Sequence, residues 1–100
     1  MNIKFQERYQ LFIGGKWRDA SDGATIKTYN PATGELLAAI ADASNEDVDD
    51  AVKAGQDAFK TWSKTTPAER ASVLNKIAAI IDENAEYLAT IETIDNGKPI

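Results

Sequence analysis

Sixteen carboxylates and a complete lack of histidine and cysteine define the chemistry open to this chain of 100 residues. Without His or Cys it cannot assemble a Ser-His-Asp triad, a Cys-His pair or a zinc site of the usual kind. A disulfide framework and a thiolate metal site are excluded for the same reason. Any catalyst built here must use carboxylates, lysine or tyrosine. The densest candidate is Glu46, Asp47, Asp49 and Asp50, which as paired carboxylates could move protons or hold a metal. Their position argues for a structural task, because acids in the first turn of a helix offset the partial positive charge of its macrodipole. Trp17 and Trp62, with Phe12, Phe59, Tyr29 and Tyr87, could form an aromatic ligand platform. However, Phe59 and Trp62 share the apolar face of a predicted helix, so core packing explains them better. Gly97-Lys98-Pro99 lacks the upstream Gly and the following Ser or Thr of a phosphate loop. Gly14-Gly15 lacks the third glycine and the following helix of a dinucleotide fingerprint.

Composition sets the outer limits. With 43% hydrophobic and 27% charged residues, the chain falls in the range of one ordinary soluble domain. A net charge of −5 and a pI near 4.6 argue against nucleic acid as a partner, since phosphate binding needs clustered Lys and Arg. No apolar stretch approaches the roughly 20 residues that span a bilayer. Met1–Gln10 mixes charge with isolated apolar residues, unlike a signal peptide. These features lead to the expectation of a cytoplasmic protein with no membrane or nucleic-acid partner.

The elements that would position any site follow from local patterns. Two short apolar and aromatic runs flank Gly14-Gly15 within 10–18, the pattern of a two-residue hairpin. Thr25–Tyr29 is β-branched and alternating, Asn30-Pro31-Ala-Thr-Gly34 is a turn, and Leu36–Ala41 is a further strand. Ser44-Asn-Glu-Asp47 resembles a capping box with Asp47 in the acidic role. It opens a helix whose apolar face is Val48, Ala51, Val52, Gly55, Ala58, Phe59 and Trp62. Thr66-Pro67-Ala-Glu69 starts a second helix, with Ala71, Leu74, Ile77, Ala78 and Ile81 in step. After a polar break at Asp82–Asn84, a third helical stretch containing Ala85, Leu88 and Ile91 ends near Asn96-Gly97. No internal repeat or linker divides residues 1–100, so a single segment is expected.

Three of these motifs, in order, carry a resemblance. Leu11-Phe-Ile-Gly-Gly-Lys-Trp17, Tyr29-Asn-Pro-Ala-Thr-Gly-Glu35 and Ile91-Glu-Thr-Ile-Asp-Asn-Gly-Lys-Pro-Ile100 resemble the aldehyde dehydrogenase family. Glu46–Val52 and Pro67–Arg70 look like that family's first two helices. The resemblance implies an α/β fold: the N-terminal part of an NAD-binding domain, with short strands over about 10–41 and amphipathic helices over about 45–95. It implies a parent enzyme, several times longer, that oxidises aldehydes to carboxylic acids with NAD or NADP and forms a homo-oligomer. In such an enzyme a cysteine thiolate attacks the aldehyde, and a glutamate-activated water hydrolyses the resulting thioester. Those residues lie downstream in the family, so this segment is expected to contain neither catalytic nor cofactor-binding residues and to be inactive alone. The resemblance carries over one site: a monovalent cation, Na+ or K+, held by backbone carbonyls at Thr28 and Tyr29 and by the carboxylate of Asp95. Hard oxygen ligands suit such an ion and a carboxylate balances its charge. The simpler assignment for Asp95 is a turn hydrogen bond at a helix end.

The rival to the enzyme reading is a self-contained structural or binding module. The two readings differ in what they expect of the isolated chain. A piece of a larger domain would leave apolar helix faces open, whereas a module would cover them.

Overall fold

The computed structural model describes residues 3–100; of the Met1–Gln10 stretch, Met1 and Asn2 lie outside the described residues. Strand β1 (Arg8–Tyr9) is followed by a hairpin of β2 (Leu11–Ile13) and β3 (Lys16–Arg18). Gly14 and Gly15 take φ of 60° and 78°, the pair of positive values a type I′ turn requires. That turn sets Phe12 opposite Trp17, with ring centroids 4.8 Å apart and planes inclined by 58°, a tilted pair of the kind aromatic quadrupoles favour. Strands β4 (Thr25–Tyr29) and β5 (Leu36–Ala41) pair antiparallel, and β1 joins the other side of β5 in parallel, giving the order β1-β5-β4. β1 escapes sequence reading because two residues show no periodicity, and its pairing with β5 is a long-range choice.

The first two helices start where their caps dictate, whereas the third begins without a side-chain cap. Helix α1 (Asn45–Trp62) has Ser44 as N-cap in a complete capping box with Asp47, and α2 (Pro67–Glu83) has the same arrangement between Thr66 and Glu69. Helix α3 (Ala85–Asn96) follows directly after Asn84 and stops at Gly97, whose φ of 83° lets its N–H close onto Thr93 O. The polar break at Asp82–Asn84 is therefore where one helix ends and the next begins.

Burial differs from the sequence expectation. The aromatics assigned to a core are open: Phe59 is 64% exposed, Trp62 43%, Trp17 67% and Phe12 59%. Buried apolar side chains among the described residues are limited to Ala20 and Ala38. The hairpin rests on small residues of α1, with a Cβ on Gly14 falling 3.9 Å from that of Ala54, but no element covers the larger residues of that helix. A radius of gyration of 17.0 Å exceeds the roughly 13 Å of a compact chain of this length. The accessible surface of 7844 Å² likewise exceeds the roughly 5600 Å² expected for a compact monomer of this mass. The helices are amphipathic as expected, but these residues supply no opposing layer for them.

Candidate functional site

Two polar constellations organise the chain. The first joins β4 to the end of α3. Along the β4–β5 ladder Thr28 faces Ala38 while Tyr29 faces Leu36, so Leu37 is an extra residue and the strand pair carries a bulge at this point. Bulges re-aim side chains and commonly lie next to functional sites. Just beyond it, Asn30 accepts from Ala32 N through its side chain at 2.9 Å and from Gly34 N through its carbonyl at 2.7 Å, fixing the Asn-Pro turn. Thr28 Oγ1 donates to Asp95 Oδ1 across 67 residues of sequence. Asp95 thus makes a tertiary contact in place of the local turn bond that was its simpler assignment. The end of α3 also meets the turn, since a Cβ on Gly97 would lie 3.0 Å from Pro31 Cγ.

The Thr28–Asp95 pair sits on the wall of a pocket of about 360 Å³ between the sheet and α3, with Phe5, Tyr9, Ile91 and Glu92 among its other lining residues. Glu92 has a cationic neighbour in Lys98 at 3.5 Å, whereas Asp95 has no Lys or Arg partner among the described residues. Because Thr28 points its proton at the carboxylate, the lone pairs of its hydroxyl stay available to a cation. Tyr29, the third residue expected at the cation site, is half-exposed and does not line this pocket. Among the described residues no three His, Cys, Asp or Glu side chains converge. One carboxylate with neutral oxygens suits a monovalent ion better than a divalent one.

The second constellation centres on Asp47, which is fully buried. Its carboxylate accepts from Ser21 N at 3.0 and 3.2 Å, from Ser44 N at 2.9 Å and from Ser44 Oγ at 3.0 Å. It also receives Arg18 Nη2 at 2.6 Å, and the same nitrogen reaches Asp50 at 2.9 Å. The Ser21 N–H, then the Ser44 N–H, hold the Asp47 carboxyl well below the usual carboxylate range; burial opposes them, and Arg18 adds to them. The Arg18 guanidinium is pushed up, chiefly by its bond to Asp47 and then by Asp50. Here the acidic cluster does more than balance a macrodipole: Asp47 ties the strand end and the following loop to the start of α1. Sequence showed the capping box but not its long-range partners, since nothing local links Arg18 and Ser21 to residue 47. Glu46 and Asp49 stay exposed. Asp47 itself presents no free oxygen to a substrate, because both are already occupied by donors.

Comparison with known proteins identifies the family to which this arrangement of strands and helices belongs. The family model described as the aldehyde dehydrogenase family matches residues 17–100. A mitochondrial aldehyde dehydrogenase of Mesocricetus auratus is 44% identical over 93 residues, which is 90% of this chain and 19% of that protein. A malonate-semialdehyde dehydrogenase of Halalkalibacterium halodurans is 44% identical over 97 residues, 97% of this chain and 20% of that protein. Among solved structures, the NAD+ complex of an aldehyde dehydrogenase from Bacillus cereus superimposes with a TM-score of 0.89 at 46% identity, covering 93% of this chain and 19% of that one. The chain therefore spans about a fifth of the length of the relatives it matches. With sequence and three-dimensional arrangement in agreement over nearly its whole length, the chain belongs to the aldehyde dehydrogenase family.

Proposed function

We propose that residues 1–100 are one structural segment of the cofactor-binding domain of an enzyme that oxidises aldehydes to carboxylic acids with NAD or NADP. The observation that carries this reading is the agreement of the fold, at a TM-score of 0.89, with an aldehyde dehydrogenase solved with NAD+. The segment's own residues brace and orient: Asp47 fastens the hairpin to α1, and the Asn30 turn with Thr28 fastens the sheet to α3. Nucleophile, base and cofactor contacts belong to the remainder of such an enzyme, which supplies the hydride acceptor when NAD or NADP is bound. A cytoplasmic homo-oligomer acting on an aldehyde completes the proposal. In the test, the whole reading frame that contains this segment is expressed and reduced nicotinamide is followed with an aldehyde and NAD or NADP. Aldehyde-dependent reduction that a thiol-alkylating reagent abolishes is expected. No turnover with any aldehyde, or a frame that encodes no cysteine, would favour the structural-module reading.

Within that enzyme, Thr28, Tyr29 and Asp95 are proposed to hold Na+ or K+. Their chemistry fits: a hydroxyl with free lone pairs, a carbonyl beside a bulge, and a carboxylate without a cationic side-chain partner among the described residues. In the whole enzyme, Na+ or K+ should raise the melting temperature above that in a bulky organic cation at equal ionic strength. At ten times Kd, mass action contributes about 1.4 kcal/mol. Asp95→Ala should abolish the difference between salts. If the variant retained the full ion dependence, Asp95 would be a structural partner of Thr28 and nothing more.

A further inference from the structure

Asn96 is the one asparagine of six that precedes a glycine. With no Cβ on Gly97, its main-chain nitrogen can reach the Asn96 side-chain amide carbon unhindered, the arrangement from which asparagine loses its amide through a succinimide. Other asparagines are held off differently. Asn30 precedes Pro31, whose nitrogen has no proton to lose, and Asn84 gives its side-chain amide to Ile80 O at 2.8 Å. At Asn96 the restraint comes from the fold. Asn96 is the last residue of α3, and the attacking nitrogen, that of Gly97, donates to Thr93 O at 2.9 Å. Helical backbone, with ψ of about −42°, turns that nitrogen away from the Asn96 side chain. Ring closure therefore needs the cap bond to open and Asn96 ψ to rotate. The last turn of α3 is steadied by this cap, by the bond from Thr28 to Asp95, and by the exposed Glu92–Lys98 pair, which contributes little.

We infer that Asn96 is a site of spontaneous deamidation whose rate is set by opening of the α3 end, with the Thr28–Asp95 bond as the latch. When the end opens, Gly97 N gives its proton to solvent and bonds to Asn96 Cγ. The Cγ–Nδ2 bond breaks, and the nitrogen leaves as ammonia with a proton from water. Water then adds to either carbonyl of the succinimide and opens the ring to Asp or isoAsp. The net change consumes one water and releases one ammonia, with nothing oxidised or reduced. In the isoAsp product the main chain gains one carbon just before Gly97. That added length falls where a Cβ on Gly97 would already lie 3.0 Å from Pro31 Cγ, so the end of α3 and the Asn-Pro turn must shift. The inference stands apart from the enzymatic reading, because the reaction needs only water and the backbone at the end of α3.

The test incubates the whole protein that contains this segment at mildly alkaline pH and follows residue 96 by peptide mass mapping, with the same protein unfolded in urea as reference. Conversion of Asn96 should be detectable in the folded parent and at least roughly tenfold slower than in the reference, the scale of opening a cap bond together with a bond to a charged group. Thr28→Val keeps the β-branched shape but removes the hydroxyl, and should speed conversion in the folded state by roughly three- to tenfold. Asp95→Ala, which breaks the latch from the other side, should do the same. Thr28→Ser retains the donor and should convert like the parent. In urea all four proteins should convert alike, which separates the latch from the chemistry of the dipeptide, and Asn75 and Asn84 should stay intact when folded. Circular dichroism reports whether each variant keeps its helices. An Asn96 that stays intact in the folded protein while the reference converts would overturn the site, and equal rates in the two states would overturn the gating. Folded Thr28→Val and Asp95→Ala converting at the parent rate would overturn the latch.

Discussion

Asp47→Ala should destabilise this fold more than Ser44→Ala, for which the loss of an N-cap side chain sets a scale of about 1 kcal/mol. The reason is what each change leaves behind. Losing the Ser44 hydroxyl removes one cap acceptor and one donor to Asp47. Losing the carboxylate deprives the Ser21 and Ser44 N–H groups of their acceptor and leaves Arg18 with Asp50 alone. Partly buried donors left without partners carry part of their desolvation penalty, and the hairpin loses its tie to α1. Urea unfolding followed by helical ellipticity should place Asp47→Ala below Ser44→Ala, and the reverse order would refute the assignment of Asp47 as the tie.

The same residue predicts an acid response. In the unfolded chain an Asp ionises near 4, and in the fold its carboxyl is held well below that, first by Ser21 N–H. A depressed folded value means that the stabilisation is fully present above about pH 4 and is lost as pH falls through the folded value. Asp47→Asn keeps the shape without the charge. Its stability gap to the parent should be constant around neutrality and narrow below about pH 4. A gap that stays the same in acid would show that the ionised form is not what matters.

How much of this was legible without coordinates depends on the range of the physics. Ser44, Thr66, Gly14-Gly15 and Gly97 mark their caps and turns because the relevant hydrogen bonds and φ values are set within a few residues. β1 was invisible, since a two-residue strand exists only through its pairing with β5. The spacing of apolar residues marks the apolar face of α1, but Phe59 and Trp62 show that periodicity says which side seeks cover and not whether these residues provide it. For the candidate site, resemblance singled out Thr28 and Asp95. Their direct bond required the fold. The Asp47–Arg18–Ser21 junction had no signal beyond a capping box with an acid at its third position, which is common and local.

Gly97→Ala is expected to cost about 1–2 kcal/mol from backbone conformation alone, because φ at this position is 83° and a Cβ in the left-handed region crowds the following carbonyl. A second contribution comes from the neighbour that the new methyl group meets. Its Cβ would lie 3.0 Å from Pro31 Cγ, tighter than ordinary contact, so the Asn-Pro turn or the end of α3 must shift. The two contributions separate by substitution. Gly97→Asn tolerates the left-handed conformation better but still crowds Pro31, so it should recover part of the loss and not all of it. Pro31→Ala removes the crowding atom, so Gly97→Ala should cost less in that background, with a coupling in the double-mutant cycle of about 0.5 kcal/mol or more. Additive effects would show that α3 and the turn do not press on each other at this point. Because Asp95 sits two residues before Gly97 and meets Thr28 one residue before the turn's Tyr29, the same displacement should reach the proposed ion site. In the whole enzyme, Gly97→Ala should therefore also reduce the difference in melting temperature between Na+ and a bulky organic cation, although Gly97 offers the ion no side chain. A variant that lost stability equally in both salts would confine Gly97 to capping α3.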